Sequence, residues 1–458
     1  MSDNGTTVDV MAMIAKAHAA QQEFEEYSQE DVDKAVRAVG KVIYDHGEEL
    51  AKMAVDETKM GVYEDKILKN KGKAKITWYR LKGVKSRGII ERLDDIGIIK
   101  VSKPIGVIGC ISPMTNPTMT PMHNAMIALK GANAMIVCPH PKAKKTGVAT
   151  VEYMREALKE VGAPVDLLQI IPDPSLADSE AIMANCDATI ATGGPGMVKA
   201  AYSSGKPSFG VGAGNVQTLV DTDADFPLSA AQIAKSRTYD NGVLCTCEQC
   251  IHIQDKQYDE MVKLLQEQGG YYIHTPEDVD KLRAGLFPDG NINKKCVGGS
   301  PLEIAETSGL DVPEDTKFLM VKIDKYGADE PLSKEKLCPV MCVTNYDTWE
   351  NAVAHAKTNL LNMGAGHSCV VRSHTKEHID YAGEELPVSR IGVNMVGSSG
   401  LGGGFNIGLN PTATLGCGSW GGNGLSENLW WNHLVNIARI AIPVEGVETP
   451  TDEEIWGE

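Results

Sequence analysis

The chain has 458 residues, and its 61 acidic against 44 basic side chains give it a formal net charge of −17. Apolar residues make up 42% and charged residues 23%, proportions typical of a folded globular protein and not of a disordered or disulfide-stapled one. A negative charge of this size argues against a nucleic-acid-binding protein, because phosphate recognition requires a basic surface.

Two features of the sequence argue against membrane insertion and secretion. No apolar run approaches the roughly 18 residues of a membrane-spanning helix. The first residues, MSDNGTTVDV, lack the basic and then apolar segments of a signal peptide. We therefore expect no membrane partner and a cytoplasmic location, free or inside an enzyme compartment, where the 11 cysteines stay reduced.

The part of the chain before residue 88 is predicted to be helical. Apolar residues recur at helical spacing in residues 29–56, behind Ser28 as a helix cap, and another helix is predicted over 7–24. Residues 64–87 are rich in lysine and have few carboxylates. We interpret this segment as a solvated helix face.

From residue 88 onward, short apolar runs alternate with helical stretches. This pattern predicts a parallel sheet covered by helices on both faces, with ligands at the carboxyl ends of its strands. The predicted strands lie near 106–111, 134–138, 167–171, 188–191 and 216–220, with helices at 121–131, 144–161 and 176–185.

The pattern partly repeats after residue 225 and predicts a second α/β unit. Its predicted strands are 251–253, 318–323, 339–346 and 368–373, and its helices are 228–238, 256–269 and 347–358. The glycine-rich segment 397–424 also contains tryptophan, phenylalanine and cysteine. We expect it to be an ordered loop that lines a site.

A second glycine-rich segment, 191–205, follows a predicted strand and opens a helix. Its backbone N–H groups could bind a pyrophosphate at the helix N-terminus, although the segment does not match G-x-G-x-x-G and a tight turn explains it equally well. The candidate residues are Thr192, Gly193, Gly194 and Gly196.

Three cysteines crowd the segment 241–250 in a C-x-C-x-x-C pattern. A metal cluster is one interpretation, but the paired spacings of zinc sites are absent, so core packing is favoured for Cys247 and Cys250 and no metal is expected. Cys245 follows an Asn-Gly turn, which could present its thiol to a cleft as a nucleophile.

Several motifs resemble the CoA-acylating aldehyde dehydrogenases, in the same order and over nearly the whole chain. The branch that acts on succinate semialdehyde is especially similar, through ETKMGVYEDK (57–66), AYSSGKPSFGVGAGNVQ (201–217), TLGCGSW (414–420) and DEEIW (452–456). The family motifs are TNP (115–117), CPHP (138–141), ATGG (191–194), KPSFGVGAGN (206–215), NGVLC (241–245) and LGCGSWGGN (415–423).

This resemblance implies an α/β fold of the aldehyde dehydrogenase type. A Rossmann-type dinucleotide-binding domain is expected over 1–237, with an arm near 89–102, and an α/β catalytic domain over 238–421. The segment 422–458 is expected to return to the first domain. In this family the arm and the C-terminal segment pair between subunits, so a homodimer or higher homo-oligomer is expected.

The resemblance also implies a two-step reaction of an aldehyde with NAD or NADP and coenzyme A. Cys245 matches the nucleophile that carries the acyl thioester. Asn116 matches the residue whose side-chain amide forms an oxyanion hole with the Cys245 N–H, a neutral donor that needs no reorganisation during reaction.

One departure from hydrolytic aldehyde dehydrogenases supports CoA as the acyl acceptor. Those enzymes carry a glutamate that activates water, whereas the matching segment here, 210–214, contains only glycine, valine and alanine. Without a base, water attack is slow, and a CoA thiol can replace it. A hydrolytic aldehyde dehydrogenase and a thiol-rich metal-binding protein are remote alternatives.

The family pattern also suggests nicotinamide contacts. Glu335 matches a glutamate that binds the nicotinamide ribose, although Leu337-Cys338 replaces the usual Phe-Gly. His140 stands where hydrolytic relatives bind the adenosine ribose through lysine. The lysines within 142–145 could attract a 2′-phosphate, so both NADP and NAD remain open.

Three other residues allow two interpretations each. His367 resembles a residue near the active site and either has a positioning role or is structural. Arg390 could bind an anionic substrate tail, although a structural role is favoured. Cys417 is interpreted as loop packing. Succinate semialdehyde is the first substrate expected, with sulfoacetaldehyde and acetaldehyde as alternatives.

Overall fold

Three β-sheets organise the computed structural model of the chain, which describes residues 9–457. The strands are β1 (Gly88–Leu93), β2 (Ile98–Pro104), β3 (Val107–Ser112), β4 (Ala134–Pro139), β5 (Leu168–Ile170), β6 (Ala188–Thr192), β7 (Ser208–Val211), β8 (Val216–Val220), β9 (Glu248–Gln254), β10 (Gly270–Ile273), β11 (Phe318–Lys322), β12 (Val340–Tyr346), β13 (Cys369–Arg372), β14 (Ile391–Val393) and β15 (Val435–Ala441).

Helices cover the two larger sheets and occupy the first part of the chain. They are α1 (Val10–Glu25), α2 (Gln29–Asp45), α3 (Gly47–Thr58), α4 (Tyr63–Leu81), α5 (Met119–Lys130), α6 (Lys144–Glu160), α7 (Leu176–Asn185), α8 (Pro195–Tyr202), α9 (Phe226–Thr238), α10 (Tyr258–Glu267), α11 (Pro276–Leu286), α12 (Pro301–Ser308), α13 (Trp349–Asn362), α14 (Lys376–Glu385), α15 (Gly397–Gly400) and α16 (Asp452–Trp456). None of the helices in residues 9–457 is both long enough and apolar enough to cross a membrane.

The first large sheet has five parallel strands in the order β5-β4-β3-β6-β7. Every residue of β3 and β4 is buried, because helices cover both faces of the sheet. The helix predicted behind Ser28 is α2, and the Ser28 side chain accepts a hydrogen bond from the N–H of Asp31 as an N-cap. The α/β fold class is therefore as the sequence predicted.

The second large sheet has seven parallel strands in the order β10-β11-β12-β9-β8-β13-β14. The chain changes sheet between Val211 and Val216, and both β8 and α9 belong to the second unit. The expected boundary at 237/238 lies inside the part of the chain that builds the second sheet. The short apolar run at 216–220 predicted a strand but did not indicate which of the two sheets the strand joins.

The third sheet is an antiparallel arm in the order β1-β2-β15, near the predicted arm at 89–102. Just before β15, Trp430, Trp431 and Leu434 are buried in the core of the five-stranded unit. The C-terminal part of the chain thus packs against the first unit before it pairs with the arm.

The lysine-rich segment forms α4, but its interpretation as a solvated face is wrong for part of the helix. Lys66 and Lys69 are only 3% and 8% exposed. Both ammonium groups contact the carboxylate of Asp240, which lies in the second unit. These ion pairs explain how lysines can be buried here, because an opposite charge compensates for lost hydration.

Candidate active site

A tight turn after α9, which ends at Thr238, precedes Cys245. Asp240, Asn241 and Gly242 all have positive φ angles, of 51°, 51° and 63°. A Cβ at residue 242 would overlap the guanidinium of Arg237, so the turn requires glycine there. The turn lifts the following residues toward a cavity, as the Asn-Gly sequence suggested.

Cys245 differs from all other cysteines of the chain. It is partly exposed, whereas the other ten are buried, and all 11 are free thiols. Cys247 and Cys250 are fully buried, which is core packing. Within residues 9–457 no group of three or more histidine, cysteine or acidic side chains is arranged to hold a metal ion.

A cavity of about 270 Å³ opens beside Cys245. Asn116 also lines it, so the structure brings the two residues of the expected oxyanion hole to one space. The remaining walls come from α4 and from the glycine-rich segment, including Ser398, Phe405 and Leu415. That segment is thus the ordered site-lining loop that the sequence predicted.

Both groups expected to form an oxyanion hole keep an N–H available, although the Asn116 amide nitrogen also donates a 3.4 Å hydrogen bond to the Thr115 hydroxyl. The side-chain oxygen of Asn116 accepts a hydrogen bond of 2.5 Å from Lys69 Nζ, which leaves the amide NH₂ as the donor end. The backbone N–H of Cys245 donates to no other group in the part of the chain that the structure describes. An oxygen bound near Cys245 could accept from both groups.

The surroundings of Cys245 favour its neutral thiol over the thiolate. Burial raises the pKa of the Cys245 thiol far above its ordinary value, and the nearby Glu335 carboxylate adds to the rise. The guanidinium of Arg390 acts in the opposite direction. Bound ligands that move Glu335 or shield its charge would therefore ease ionisation of the thiol.

Glu335, the residue expected to bind the nicotinamide ribose, lies beside Gly214, whose backbone packs against that of Cys245. Its Oε1 accepts a 2.8 Å hydrogen bond from the N–H of Gly214. Burial raises the pKa of this carboxyl to about 7. Its second oxygen has no partner among the described residues and could accept a hydroxyl donor.

No carboxylate replaces the glutamate that the sequence lacks. Within residues 9–457, neither aspartate nor glutamate lines the Cys245 cavity. The segment 210–214 contributes only backbone and small side chains. A carboxylate that could activate water against a thioester is therefore absent from the described lining of the cavity as well as from the motif.

His367 and Arg390 are both buried, and the Arg390 guanidinium lies near enough to the Cys245 thiol to affect its pKa. His367 Nδ1 is 2.6 Å from the Ser368 hydroxyl, and burial holds the pKa of the ring well below its ordinary value. Arg390 donates to the carbonyl oxygens of His367 and Gly416. Because its Nη atoms bind main-chain oxygens and it does not line the cavity, the arrangement is typical of a structural arginine.

The nucleotide-side residues meet at the carboxyl ends of the five-stranded sheet. Strand β6 ends at Thr192, and α8 starts after the N-cap Gly194. Gly193, Gly194 and Gly196 are exposed, and a Cβ on either Gly194 or Gly196 would meet open space. Their backbone therefore leaves room for a pyrophosphate, and the residues fit the expected dinucleotide.

His140 follows β4 at the same edge, half-buried, and its Nδ1 accepts from the N–H of Lys142. The sequence missed one acid nearby. Glu57, at the end of α3, accepts hydrogen bonds of 2.9 and 2.8 Å from the N–H groups of Lys145 and Thr146. It occupies the N-terminus of α6, so those N–H groups do not face a phosphate.

Sequence reasoning also missed Lys69 and Lys73, which line the cavity. Lys66, Lys69 and Lys73 follow i, i+3, i+7 spacing and so share one helix face, a signal that the lysine count obscured. Lys73 Nζ donates to the carbonyl oxygens of Gly402 and Thr412, 3.0 Å each. It pairs with no carboxylate in the described part of the chain.

The sequence profile of the aldehyde dehydrogenase family matches residues 2–272. The succinate-semialdehyde dehydrogenase (acetylating) of Clostridium kluyveri is 47% identical over 450 residues, which is 98% of this chain and 99% of that protein. A sulfoacetaldehyde dehydrogenase from an Acholeplasma species is 38% identical over 456 residues, which is 98% of this chain and 94% of that protein.

Solved structures show the same relationship. An acetylating aldehyde dehydrogenase from Geobacillus thermoglucosidasius has a TM-score of 0.92 at 35% identity, covering 96% of this chain and 98% of that one. A propionaldehyde dehydrogenase of Rhodopseudomonas palustris with bound CoA and an acylated cysteine has a TM-score of 0.86 at 25% identity, covering 94% and 97%. The chain belongs to the aldehyde dehydrogenase family, and the relatives to which it is similar include acylating members of that family.

Proposed function

We propose that this chain oxidises succinate semialdehyde with NAD or NADP and transfers the succinyl group to coenzyme A, through a thioester on Cys245. Three findings support the reaction type: the partly exposed thiol, the two N–H donors near it and the absence of Asp and Glu from the described lining of the cavity. The succinate-semialdehyde and CoA-bound relatives support the same reaction.

In the first step the Cys245 thiol gives up its proton to solvent, and the resulting thiolate Sγ forms a bond to the aldehyde carbon. The carbonyl oxygen becomes an oxyanion, which accepts hydrogen bonds from the Asn116 amide and the Cys245 N–H. A bound nicotinamide supplies the hydride acceptor that turns the hemithioacetal into a thioester. Glu335 would hold the nicotinamide ribose, and the backbone at Gly194 and Gly196 would hold the pyrophosphate.

The second step breaks the thioester. The CoA thiol gives up its proton to solvent and its sulfur attacks the acyl carbon; the new C–S bond forms, the bond to Cys245 Sγ breaks, and Cys245 leaves as a thiolate. The same two donors stabilise the second oxyanion. Because no acidic residue of the described chain lines the cavity, water lacks a base and the thiol is the faster acceptor.

One observation carries the choice of substrate: the cavity that contains Cys245 also contains the unpaired cation of Lys73. Burial lowers the pKa of Lys73 to about 8, so the group is still mainly charged at pH 7. Two of its three N–H bonds are used by main-chain oxygens, and the third is free for a ligand. An aldehyde with an anionic tail compensates this charge, whereas a neutral one does not.

The test compares succinate semialdehyde with acetaldehyde in wild type and in Lys73→Met. A charge-assisted contact of about 1.5–3 kcal/mol predicts a roughly 10- to 100-fold loss of kcat/KM for succinate semialdehyde. The value for acetaldehyde should change little. Lys75→Met, an exposed site on the same helix, is the matched control. Equal losses for both aldehydes would contradict the assignment of Lys73.

Sulfoacetaldehyde is the second candidate, since a sulfonate satisfies the same cation and one relative carries that name. The two substrates differ in the length between the aldehyde and the anion. A higher wild-type kcat/KM for sulfoacetaldehyde than for succinate semialdehyde, lost again in Lys73→Met, would transfer the assignment to the sulfonate.

The same proposal includes a homo-oligomer. Strand β15 is an edge of the three-stranded arm, and Ile440 and Ile442 in and after it are 48% and 52% exposed. An apolar edge strand of this kind favours pairing with a second copy. Light scattering at micromolar concentration should give a dimer or a larger assembly, and a monomer would contradict this part of the proposal.

The chain is also proposed to work in the cytoplasm or in an enzyme compartment inside it. All 11 cysteines are free, which fits a reducing environment. Fractionation of cells that express a tagged chain tests the location. Recovery outside the cytoplasm would contradict it.

A further inference from the structure

A buried charge cluster lies directly behind the proposed oxyanion hole. Lys69 Nζ donates both to the side-chain oxygen of Asn116 and to the carboxylate of Asp240. Lys66 Nζ is 3.1 Å from the same carboxylate. All three charged side chains are almost completely buried. Two cations and one anion thus lie behind a neutral amide, and the partly buried carboxylate of Asp65 adjoins them through the N–H of Asp240.

Lys69 decides which end of the Asn116 amide faces the cavity. An asparagine side chain can rotate by half a turn and exchange its oxygen for its nitrogen with little change in shape. An ammonium group can only donate hydrogen bonds. The amide oxygen, an acceptor, is therefore stable beside it, whereas the NH₂ group, a donor, is not. With the oxygen held, the NH₂ is the end left for a substrate oxyanion.

Asp240 holds Lys69 in place and links it to the nucleophile. Its carboxylate also accepts a 2.7 Å hydrogen bond from the N–H of Val62, at the start of α4. Its own N–H donates to Asp65, on the first turn of the same helix. Asp240 lies in the positive-φ turn that precedes Cys245. One residue thus joins α4 to the turn that presents the thiol.

Taken together, the geometry points to Lys69 as a positioning residue: held by Asp240, it orients the Asn116 amide so that its NH₂ faces the oxyanion formed at Cys245. This inference rests on the proposed role of Asn116. Lys69 acts on the oxyanion through the Asn116 amide and not by direct contact with the substrate carbonyl. Its contribution should appear in the chemical steps and not in aldehyde binding.

The test is a double-mutant cycle with Lys69→Met, Asn116→Ala and the double variant, measured as kcat in the presence of CoA. Loss of one oxyanion-hole donor predicts a roughly 100- to 1,000-fold lower kcat for Asn116→Ala. Lys69→Met should lower kcat by at least about tenfold, since a misoriented amide loses much of the same stabilisation. The double variant should be no slower than Asn116→Ala, because Lys69 acts only through Asn116.

Two further variants separate positioning from folding. Lys69→Gln keeps a donor toward the asparagine oxygen and should recover part of the kcat that Lys69→Met loses. Lys75→Met, exposed on the same helix, should leave kcat unchanged. The kcat loss in Lys69→Met should be equal for acetaldehyde and succinate semialdehyde, with KM unchanged. This pattern differs from the charge-selective effect expected at Lys73.

The outcomes are distinguishable. An unchanged kcat in Asn116→Ala would overturn the oxyanion role and this inference with it. A slow Asn116→Ala combined with a normal Lys69→Met, or with losses that multiply in the double variant, would overturn the inference alone. No recovery in Lys69→Gln, together with a lower melting temperature in both Lys69 variants, would assign Lys69 to stability and also overturn it.

Discussion

Gly214 packs directly against the backbone of Cys245. A Cβ built on Gly214 would overlap the carbonyl oxygen of Cys245 and crowd its carbonyl carbon and Cα. The N–H of Gly214 meanwhile donates to Glu335. The segment in which hydrolytic relatives are expected to carry a catalytic glutamate thus serves here as the close support of the nucleophile.

Gly214→Ala should therefore displace Cys245 without adding a polar group. A shift of about 1 Å at reacting atoms can lower the rate roughly 100-fold. We expect a large loss of kcat with succinate semialdehyde and CoA, with retained secondary structure by circular dichroism. Gly383→Ala, at a helical site with open space around it, is the control. Normal kcat in Gly214→Ala would show that the nucleophile loop tolerates the displacement.

The buried lysines show what the sequence could and could not predict. The spacing of Lys66, Lys69 and Lys73 was visible, but Asp240, which explains the burial of two of them, is 171 residues away from Lys69. Composition favours solvent for a lysine-rich helix, and only the tertiary ion pair reverses that expectation. The contact between Glu57 and Thr146, 89 residues apart, was hidden for the same reason.

Local sequence patterns predicted the strands and the turn before Cys245 better than they predicted the buried ion pairs. The unbroken apolar runs at β3, β4 and β6 became buried central strands, since parallel strands are covered on both faces. The Asn-Gly turn correctly distinguished Cys245 from Cys247 and Cys250, because exposure follows the turn. The membership of β8 in the second sheet was not predictable, because strand periodicity carries no information about the partner strand.

Glu335 should make nicotinamide binding depend on pH. Burial raises its pKa to about 7, so in the free enzyme it is increasingly protonated as the pH falls below 7. A protonated carboxyl accepts ribose hydroxyls less well than a carboxylate. The KM for NAD or NADP should rise as the pH falls from 8 to 6. In Glu335→Gln the KM should be high and independent of pH, and a retained slope would assign the titration to another group.

The raised pKa of Glu335 should also make the stability of the fold depend on pH. An acid whose pKa is higher in the folded than in the unfolded chain destabilises the fold as it ionises. Between about pH 4.5 and 7, the Glu335 contribution to the free energy of unfolding should decrease as the pH rises. Urea unfolding of wild type and Glu335→Gln at pH 5 and 7.5 measures it. The difference between the two proteins should favour the variant at the higher pH.

Lys73 should make the binding of the anionic aldehyde weaker at high pH. Burial lowers its pKa to about 8, so the cation is lost in the free enzyme as the pH rises above 8. The KM for succinate semialdehyde should then increase, while that for acetaldehyde stays level. Steady-state assays from pH 7 to 9.5 measure both, and parallel profiles for the two aldehydes would contradict the role of Lys73.

Glu57 should contribute to stability more than an exposed glutamate does. Its carboxylate accepts from two backbone N–H groups and from the hydroxyl of Thr146. Glu57→Ala should lower the free energy of unfolding by about 1–3 kcal/mol, because the partly buried N–H and hydroxyl of Thr146 lose a charged acceptor. Urea unfolding against the exposed control Glu160→Ala on α6 tests this. Equal stabilities would show that water replaces the carboxylate.

The central claim is that the thioester on Cys245 reacts with a thiol and not with water, because none of the described residues that line the cavity is an aspartate or glutamate that could activate water. The direct measurement is NAD(P)H formation from succinate semialdehyde at high enzyme concentration, first without CoA and then after its addition. The account predicts at most one NAD(P)H per active site without CoA, then steady turnover with one acyl-CoA per NAD(P)H. The Cys245→Ala variant should show neither phase. Sustained turnover without CoA, with free succinate as product, would contradict the account.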